Sequence, residues 1–340
     1  MAGVKERFAN GRAALEERFG DSILSRALAV VLIVYLLSCL IAGWYWSREP
    51  DLMPLPVSSD SAPVGDTTTA TLIEVMTTLL EKPGGFLSND IFPPGVLLDN
   101  IPAWEYGVLI QVRDLTRVMR ESLSRSQSQS QEDPDLAKAE PRLNFSNNSW
   151  MVPASESEYR DGIRHLQRYR DRLNDSRDSQ SQFYARADNL RYWLATVESR
   201  LGSLSQRLSA SVGQRRFNTD LANDSMAKQS TSAPREIVVK TPWLEVDDVF
   251  YEARGATWAL IHFLRAVEVD FADVLQNKNA RVSVQQIIRE LEATQETVYS
   301  PIILNGGGFG LWANHSLVMA SYISRANAAI IDLRELLSRG

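Results

Sequence analysis

Several groups of residues in this 340-residue chain have types and spacings that chemistry can use. Gly308, Gly310 and Ala313 satisfy the permissive G-x-G-x-x-A dinucleotide pattern, follow the strand-like Ile302 to Leu304 and precede a helical pattern. Such a loop works when its glycines let backbone approach a pyrophosphate and a later strand brings an acidic residue to the ribose. Only about thirty residues remain after Gly310, too few for that strand and its acid. A phosphate loop fails as well, because no Lys-Ser or Lys-Thr pair follows the glycines. The structural expectation is a tight reversal between two helices, with Phe309 and Trp312 buried beneath it. The functional expectation is a loop that touches a partner, and Phe309, Trp312, Asn314 and His315 form that candidate surface.

His165, His262 and His315 are the only histidines, and none has a second ligand at helical spacing. His262, between Ile261 and Phe263 in an apolar stretch, reads as a hydrogen-bonded core histidine. No metal and no cofactor is expected. Glycoside cleavage needs two carboxyl groups about 5 to 9.5 Å apart. Glu245, Asp247, Asp248 and Glu252 cluster at a helix start, with Glu268, Asp270 and Asp273 further along. Acids in a first helical turn are ordinarily explained by the helix dipole. No G-x-S-x-G elbow is present for a serine nucleophile.

These residues are carried by a chain organised around Ala27 to Ser47, twenty-one residues without a charge between Arg26 and Arg48. As a helix the stretch spans about 31 Å, the thickness of a bilayer's hydrocarbon core. Trp44, Tyr45 and Trp46 close it with the aromatic rings that favour a headgroup layer. Lys5, Arg7, Arg12, Arg18 and Arg26 precede it, whereas Arg48 is the only basic residue from Ser47 to Glu81. The positive-inside rule then makes 1–26 cytoplasmic and the remainder periplasmic. A cleaved signal has a shorter apolar core and a small-residue exit. Residues 36–39 loosely resemble a lipoprotein processing site, but the apolar run continues beyond Cys39. That cysteine is the only one, so the exported part contains no disulfide. Net charge is −6, and everything after Arg26 carries −7, which does not suit a nucleic-acid binder.

Residues 48–66, with prolines at 50, 54, 56 and 63, read as an extended spacer. A helical domain is expected over 67–340. Its first helix, from about Thr67 to Lys82, carries Leu72, Val75, Met76, Leu79 and Leu80 on one face and stops at Pro83-Gly84-Gly85. The stretch 86–102 is apolar for a loop and reads as a connector packed on the domain. A second helix from about Trp104 ends in the polar tract 124–134, expected to be an exposed, mobile loop. Ser155 with Glu158, and Ser283 with Gln286, have capping-box spacing. Leu190, Leu194, Val197, Leu201, Leu204 and Leu208 form a heptad seam within 155–217, which is one long helix or a hairpin of two. The aromatic bulk of Phe183, Tyr184, Tyr192 and Trp193 favours packing of that seam inside the chain. Residues 218–236 read as a linker. Further helices are expected over about Pro242 to Gln276, from about Ser283 to Val298, and from Leu311 to Leu337.

Taken over nearly its full length, the chain resembles an uncharacterised family of single-pass inner-membrane proteins from gammaproteobacteria, a domain of unknown function. The similarity is carried by GWYWSREP at the end of the apolar run, by LLEKPGGFLSNDIFPPGVLLDNIPAWEYGVL, FYARADNLRYWL and TPWLEVDDVFYEARGATWAL, and by GFGLWANHSLVMASYISRANAA. The resemblance implies topology and compartment and brings no catalytic residues. The expected protein is mainly α: a single transmembrane helix followed by a periplasmic all-helical bundle with long helices. Its expected role is non-enzymatic binding or scaffolding in the cell envelope, with a peptidoglycan hydrolase or lyase using paired carboxylates as the alternative. Expected partners are the lipid bilayer through 27–47 and an envelope protein, with a homo-oligomer as a further candidate and no nucleic acid.

Overall fold

The computed structural model describes residues 23–56, 62–125, 131–175, 181–217, 236–300, 302–308 and 310–339. Most of the N-terminal segment (1–22), part of the Pro-rich stretch (57–61), the centre of the polar tract (126–130), most of the linker (218–235) and Phe309 lie outside the described residues. The chain is mainly helical. Helix α1 (Ile23–Trp46) contains a segment, Ser25–Trp46, of mean hydropathy 2.5, long and apolar enough to cross a membrane. Its large apolar side chains are exposed almost throughout.

The bundle follows as α2 (Asp66–Glu81), α3 (Asn100–Val118, continued by a π turn to Leu123), α4 (Leu136–Leu143) and α5 (Ser155–Asn174). After these come α6 (Ala187–Ser209), α7 (Val246–Asp270), α8 (Ala272–Asn277), α9 (Arg281–Glu292) and α10 (His315–Ser338). The region 155–217 is therefore two helices, and all six residues of the heptad seam are buried within the chain as α6 packs on α10. A coiled coil with another molecule has no access to that seam.

Strands β1 (Gln214–Phe217) and β2 (Glu236–Val239) form a two-stranded antiparallel ribbon with Gln214 opposite Val239. It interrupts an otherwise helical domain where the sequence suggests a plain linker. The capping boxes are corrected too. Ser155 lies inside α5, where its hydroxyl donates to the Ser146 carbonyl at 2.7 Å. Ser283 lies one turn into α9, which starts after Ala280. At α10 the cap is Asn314, whose side chain accepts from the Leu317 amide at 2.8 Å. The short helix α4, with Pro141 inside it, falls where no pattern is evident in the sequence.

Helix α7 is the hub. Nineteen of its twenty-five residues are buried, so it is covered nearly all round by α2, α3, α6, α9 and α10. Helix α3 crosses it backbone to backbone. A Cβ on Gly107 would stand 2.0 Å from the Glu252 carbonyl oxygen, and one on Gly255 2.0 Å from that of Trp104. Trp104 and Trp258 then stack at 5.2 Å between centroids across the crossing.

Contacts along the helices fix their directions. The Asp270 carboxylate holds Thr68 at the start of α2, while Lys82 at its end meets Glu105 in the first turns of α3. Arg170 near the end of α5 reaches Asp66, and Arg207 near the end of α6 reaches Glu252 near the start of α7. Helices α3, α5, α7 and α10 thus run away from the end at which α1 joins, and α2, α6 and α9 run back toward it.

Overpacking at the α3–α7 crossing predicts that Gly107→Ala or Gly255→Ala lowers stability by about 2 kcal/mol or more, since backbone faces backbone and nothing flexible can yield. Gly202→Ala in α6, whose Cβ would meet only the Asn327 amide at 3.6 Å, should be neutral or gain up to ~1 kcal/mol from helix propensity. Urea unfolding of the full chain in detergent reads both.

Candidate functional site at the junction of α1 with the bundle

The segment after Trp46 does not leave the domain as a spacer. Residues 48–53 lie as a strap along one face of α7, and the expected tether is corrected accordingly. Its partners are Arg254, Trp258, His262 and Arg265, spaced 4, 4 and 3, which places them on one side of a helix. The Glu49 carboxylate accepts from Arg254 Nε at 2.9 Å and from its second guanidinium nitrogen at 2.6 Å. Arg254 also donates to the Thr294 carbonyl at 3.0 Å and that of Glu296 at 2.8 Å. A guanidinium has five N–H donors and no means of losing its charge, so this ring of acceptors is what permits Arg254 to be buried.

Further along, Trp258 Nε1 donates to the Asp51 carbonyl at 3.3 Å and the Met53 amide donates to His262 Nε2 at 3.0 Å. His262 Nδ1 donates to the Trp258 carbonyl at 2.7 Å. One ring nitrogen thus gives a proton and the other accepts one, which requires neutral imidazole. Burial pushes the His262 pKa down to about 4, and the nearby Arg265 cation adds to the shift. The core-histidine assignment holds, and the ring's second partner is the strap.

The other wall of the junction comes from the turn after α2. Gly84, at φ +87, lets the Trp46 ring lie against the backbone, where a Cβ would come within 2.7 Å of the indole. Lys82 and Glu105 form a fully buried ion pair behind it, and Glu105 also accepts from the Leu87 and Ser88 amides at 2.8 Å. Burial pushes the Glu105 carboxyl up against the lowering pull of the Lys82 ammonium. The connector 86–102 is only half packed: Phe86 and Leu87 are buried, whereas Ile91, Phe92, Val96 and Leu97 are exposed.

Between strap and bundle lies a polar cleft of about 670 Å³ lined by Arg48, Glu49, Tyr251, Arg254 and Gln295 among others. A second, more apolar hollow of about 330 Å³ is lined by Phe250, Tyr299, His315 and Tyr322. Of the candidate partner surface, Trp312 is 73% exposed rather than buried beneath the loop. Asn314 is buried as the α10 cap, and His315 accepts from the Leu304 amide at 3.2 Å while its ring faces Phe250. The three histidines stay apart, His165 pairing with Asp135 on α5's far half. Of the acids that might pair for hydrolysis, Glu252 is chelated by Arg207 at 2.6 and 2.7 Å, Glu268 is held by Arg281, and Asp270 caps Thr68. Asp248 is pushed up by burial and by the neighbouring charges of Asp99 and Asp247. At the junction the strongest charges, Arg254 with Glu49 and Lys82 with Glu105, satisfy one another.

Residues 20–340 match a family described as "Uncharacterized protein conserved in bacteria (DUF2333)". The chain belongs to DUF2333. No curated protein and no solved structure matches it. In this DUF2333 member the family match takes in α1, the strap and the whole bundle, so the junction lies inside the matched unit. The sequence signal for the strap was a polar stripe, Arg254, Trp258, His262 and Arg265, on an otherwise apolar helix, which needed a partner.

Glu49→Gln should cost about 2 kcal/mol by removing a charged acceptor from a buried guanidinium, and should expose the Met53 amide to faster hydrogen exchange. The second test is acid. The His262 pKa is lowered on folding, so the unfolded chain binds the extra proton first. Stability from this group is complete above about pH 6.5 and is lost as pH falls toward about 4. The full loss is on the order of 3 kcal/mol. His262→Gln, which stays neutral, should flatten that part of the stability-versus-pH curve.

Proposed function

We propose that this protein is a membrane-anchored, non-enzymatic envelope protein, with 1–26 in the cytoplasm, α1 across the inner membrane and the helical bundle on the periplasmic face. The observation that carries the reading is the junction: an exposed apolar helix whose last residue, Trp46, packs on Gly84 and whose next turn of chain binds the domain through Glu49. A leader destined for removal has no reason to end in such contacts, so the junction favours a retained anchor over a cleaved signal. The excess of Lys and Arg ahead of α1 supports the orientation.

The bundle's role is to bind another envelope component. Support comes from the bonds that hold Glu252, Glu268 and Asp270, three of the acids a hydrolase could use, and from the apolar hollow lined by Phe250, Tyr299, His315 and Tyr322. Tyr322 in that hollow supplies an amphipathic ring of the type enriched at contact sites. An active alkaline phosphatase fusion at the C-terminus and an inactive one at the N-terminus are expected. The reverse pattern would remove the proposal. A photo-crosslinking residue in place of Tyr322, in that hollow, should trap one repeatable envelope protein in living cells, whereas the same residue in place of Asn277, at the opposite end of the bundle, should not.

A further inference from the structure

Large apolar side chains are exposed unevenly over the bundle. The connections at the end where α1 joins carry Phe92 and Leu97 before α3, Trp150 and Val152 before α5, Trp243 and Leu244 before α7, and Leu311 and Trp312 before α10. Phe92 and Leu97 are each 73% exposed and Val152 99%. Among the described residues, the connections at the opposite end (62–65, 131–135, 181–186 and 271–280) expose one large apolar side chain, Val64, and the helix ends beside them add only Val269 and Val282, with no aromatic ring. A soluble surface scatters such residues singly. Here they are sorted by end.

Contacts tie these loops to the anchor and to one another. A Cβ on Gly43 would lie 3.6 Å from Pro94 and 3.8 Å from Leu98. Gly43 is one turn before the end of α1, so the loop reaches back about 4.5 Å along that helix, past the level of Trp46. Asn89 donates to the Ser149 carbonyl at 2.8 Å, joining this loop to the one that carries Trp150 and Val152. Asp99 lies near enough to Asp248 to raise its pKa, and Phe250 faces the His315 ring, which brings the starts of α7 and α10 to the same end.

We infer that this end of the bundle is a second membrane contact: its loops sink into the headgroup and upper acyl region of the leaflet that α1 exits. This rests on the anchored reading above and adds to it, because an anchor alone would leave the domain free to stand off. The occupant is lipid rather than protein because the loop at 91–98 already touches the membrane-crossing helix inside its last turn. Trp and Phe at such a level match the preference of aromatic rings for the interface. The contact is apolar in origin: although the ribbon at this end carries Arg215 and Arg216 and is followed by Lys240, the loop stretches 86–99, 144–154, 241–245 and 302–314 contain no Lys or Arg to attract anionic headgroups.

The test uses the full chain with Cys39→Ser, which removes its only cysteine. Single cysteines are then introduced by Leu97→Cys, Val152→Cys, Leu244→Cys or Leu311→Cys. Each is labelled with a polarity-sensitive dye and reconstituted in phosphatidylethanolamine–phosphatidylglycerol vesicles containing nitroxide lipids. Leu40→Cys on α1 and Asn277→Cys at the opposite end are the references. Expected is a blue shift and loss of emission at all four loop positions and at Leu40, with Asn277 unaffected, and no change when salt is raised. Quenching at Leu40 with loop labels as bright as Asn277 overturns the second contact and leaves the anchor standing. An unquenched Leu40 overturns the anchored reading itself. Loop labels that shift without being quenched are covered by protein, a second copy or a partner, and this too overturns the inference, as does quenching that salt abolishes.

Discussion

Everything at the working end of this molecule depends on one buried cation. Arg254 sits in the middle of a helix that is otherwise surrounded by apolar side chains, and a guanidinium there is tolerable only if its N–H groups all find acceptors. Two backbone carbonyls after α9 and the Glu49 carboxylate supply them. The carboxylate comes from the segment that directly follows the apolar helix, so the requirement to neutralise α7 is also what ties α1 to the bundle. Had the acid come from within the bundle, the domain would fold without regard to where α1 lay.

The second constraint is steric and acts on the same helix. Gly107 and Gly255 bring α3 and α7 into backbone contact, which leaves no room for side chains between them and sets Trp104 against Trp258. The Trp258 indole nitrogen then points to the Asp51 carbonyl and its own carbonyl holds His262. Close approach of two helices therefore aims the donor and acceptor that receive the strap. Packing and recognition are one arrangement here, seen from its two sides.

Much of this was legible in the sequence, and the part that was not has a physical reason. The stripe Leu72, Val75, Met76, Leu79 and Leu80 and the seam from Leu190 to Leu208 declare buried faces because periodicity reports burial directly. His262 was legible as a bonded core residue from its apolar neighbours. The strap was not, since a Pro-rich composition signals extended backbone equally whether it is solvated or pinned, and its partners lie more than two hundred residues away. Ser155 and Ser283 had the spacing of caps, but a hydroxyl serves whichever carbonyl or amide is nearest, and at Ser155 that was a loop carbonyl. Helix α4 escaped notice because eight residues with an internal proline give only Leu136, Ala139 and Leu143 as pattern. Trp312 was expected inside because of its size, but the hairpin from Leu304 to His315 turns its backbone inward and its ring outward.

Helix direction explains why the end at which α1 joins can be both apolar and stable. Four helices begin there, and each start presents unpaired amides equivalent to roughly half a positive charge. Amides of that kind are costly wherever they are cut off from water and left bare. Asp99 accepts from the first amide of α3 and Asn314 caps α10, while Glu156 and Glu158 in the first turn of α5 and Asp247 and Asp248 in that of α7 offset the positive ends by charge without bonding their amides. Lysine or arginine in the same loops would add to the positive ends rather than offset them, which accounts for their absence over those stretches. With the charge balance settled by short acidic and amide side chains held close to the backbone, the loops' outermost positions are left to Phe92, Val152, Leu244 and Leu311, none of which carries a group that needs water.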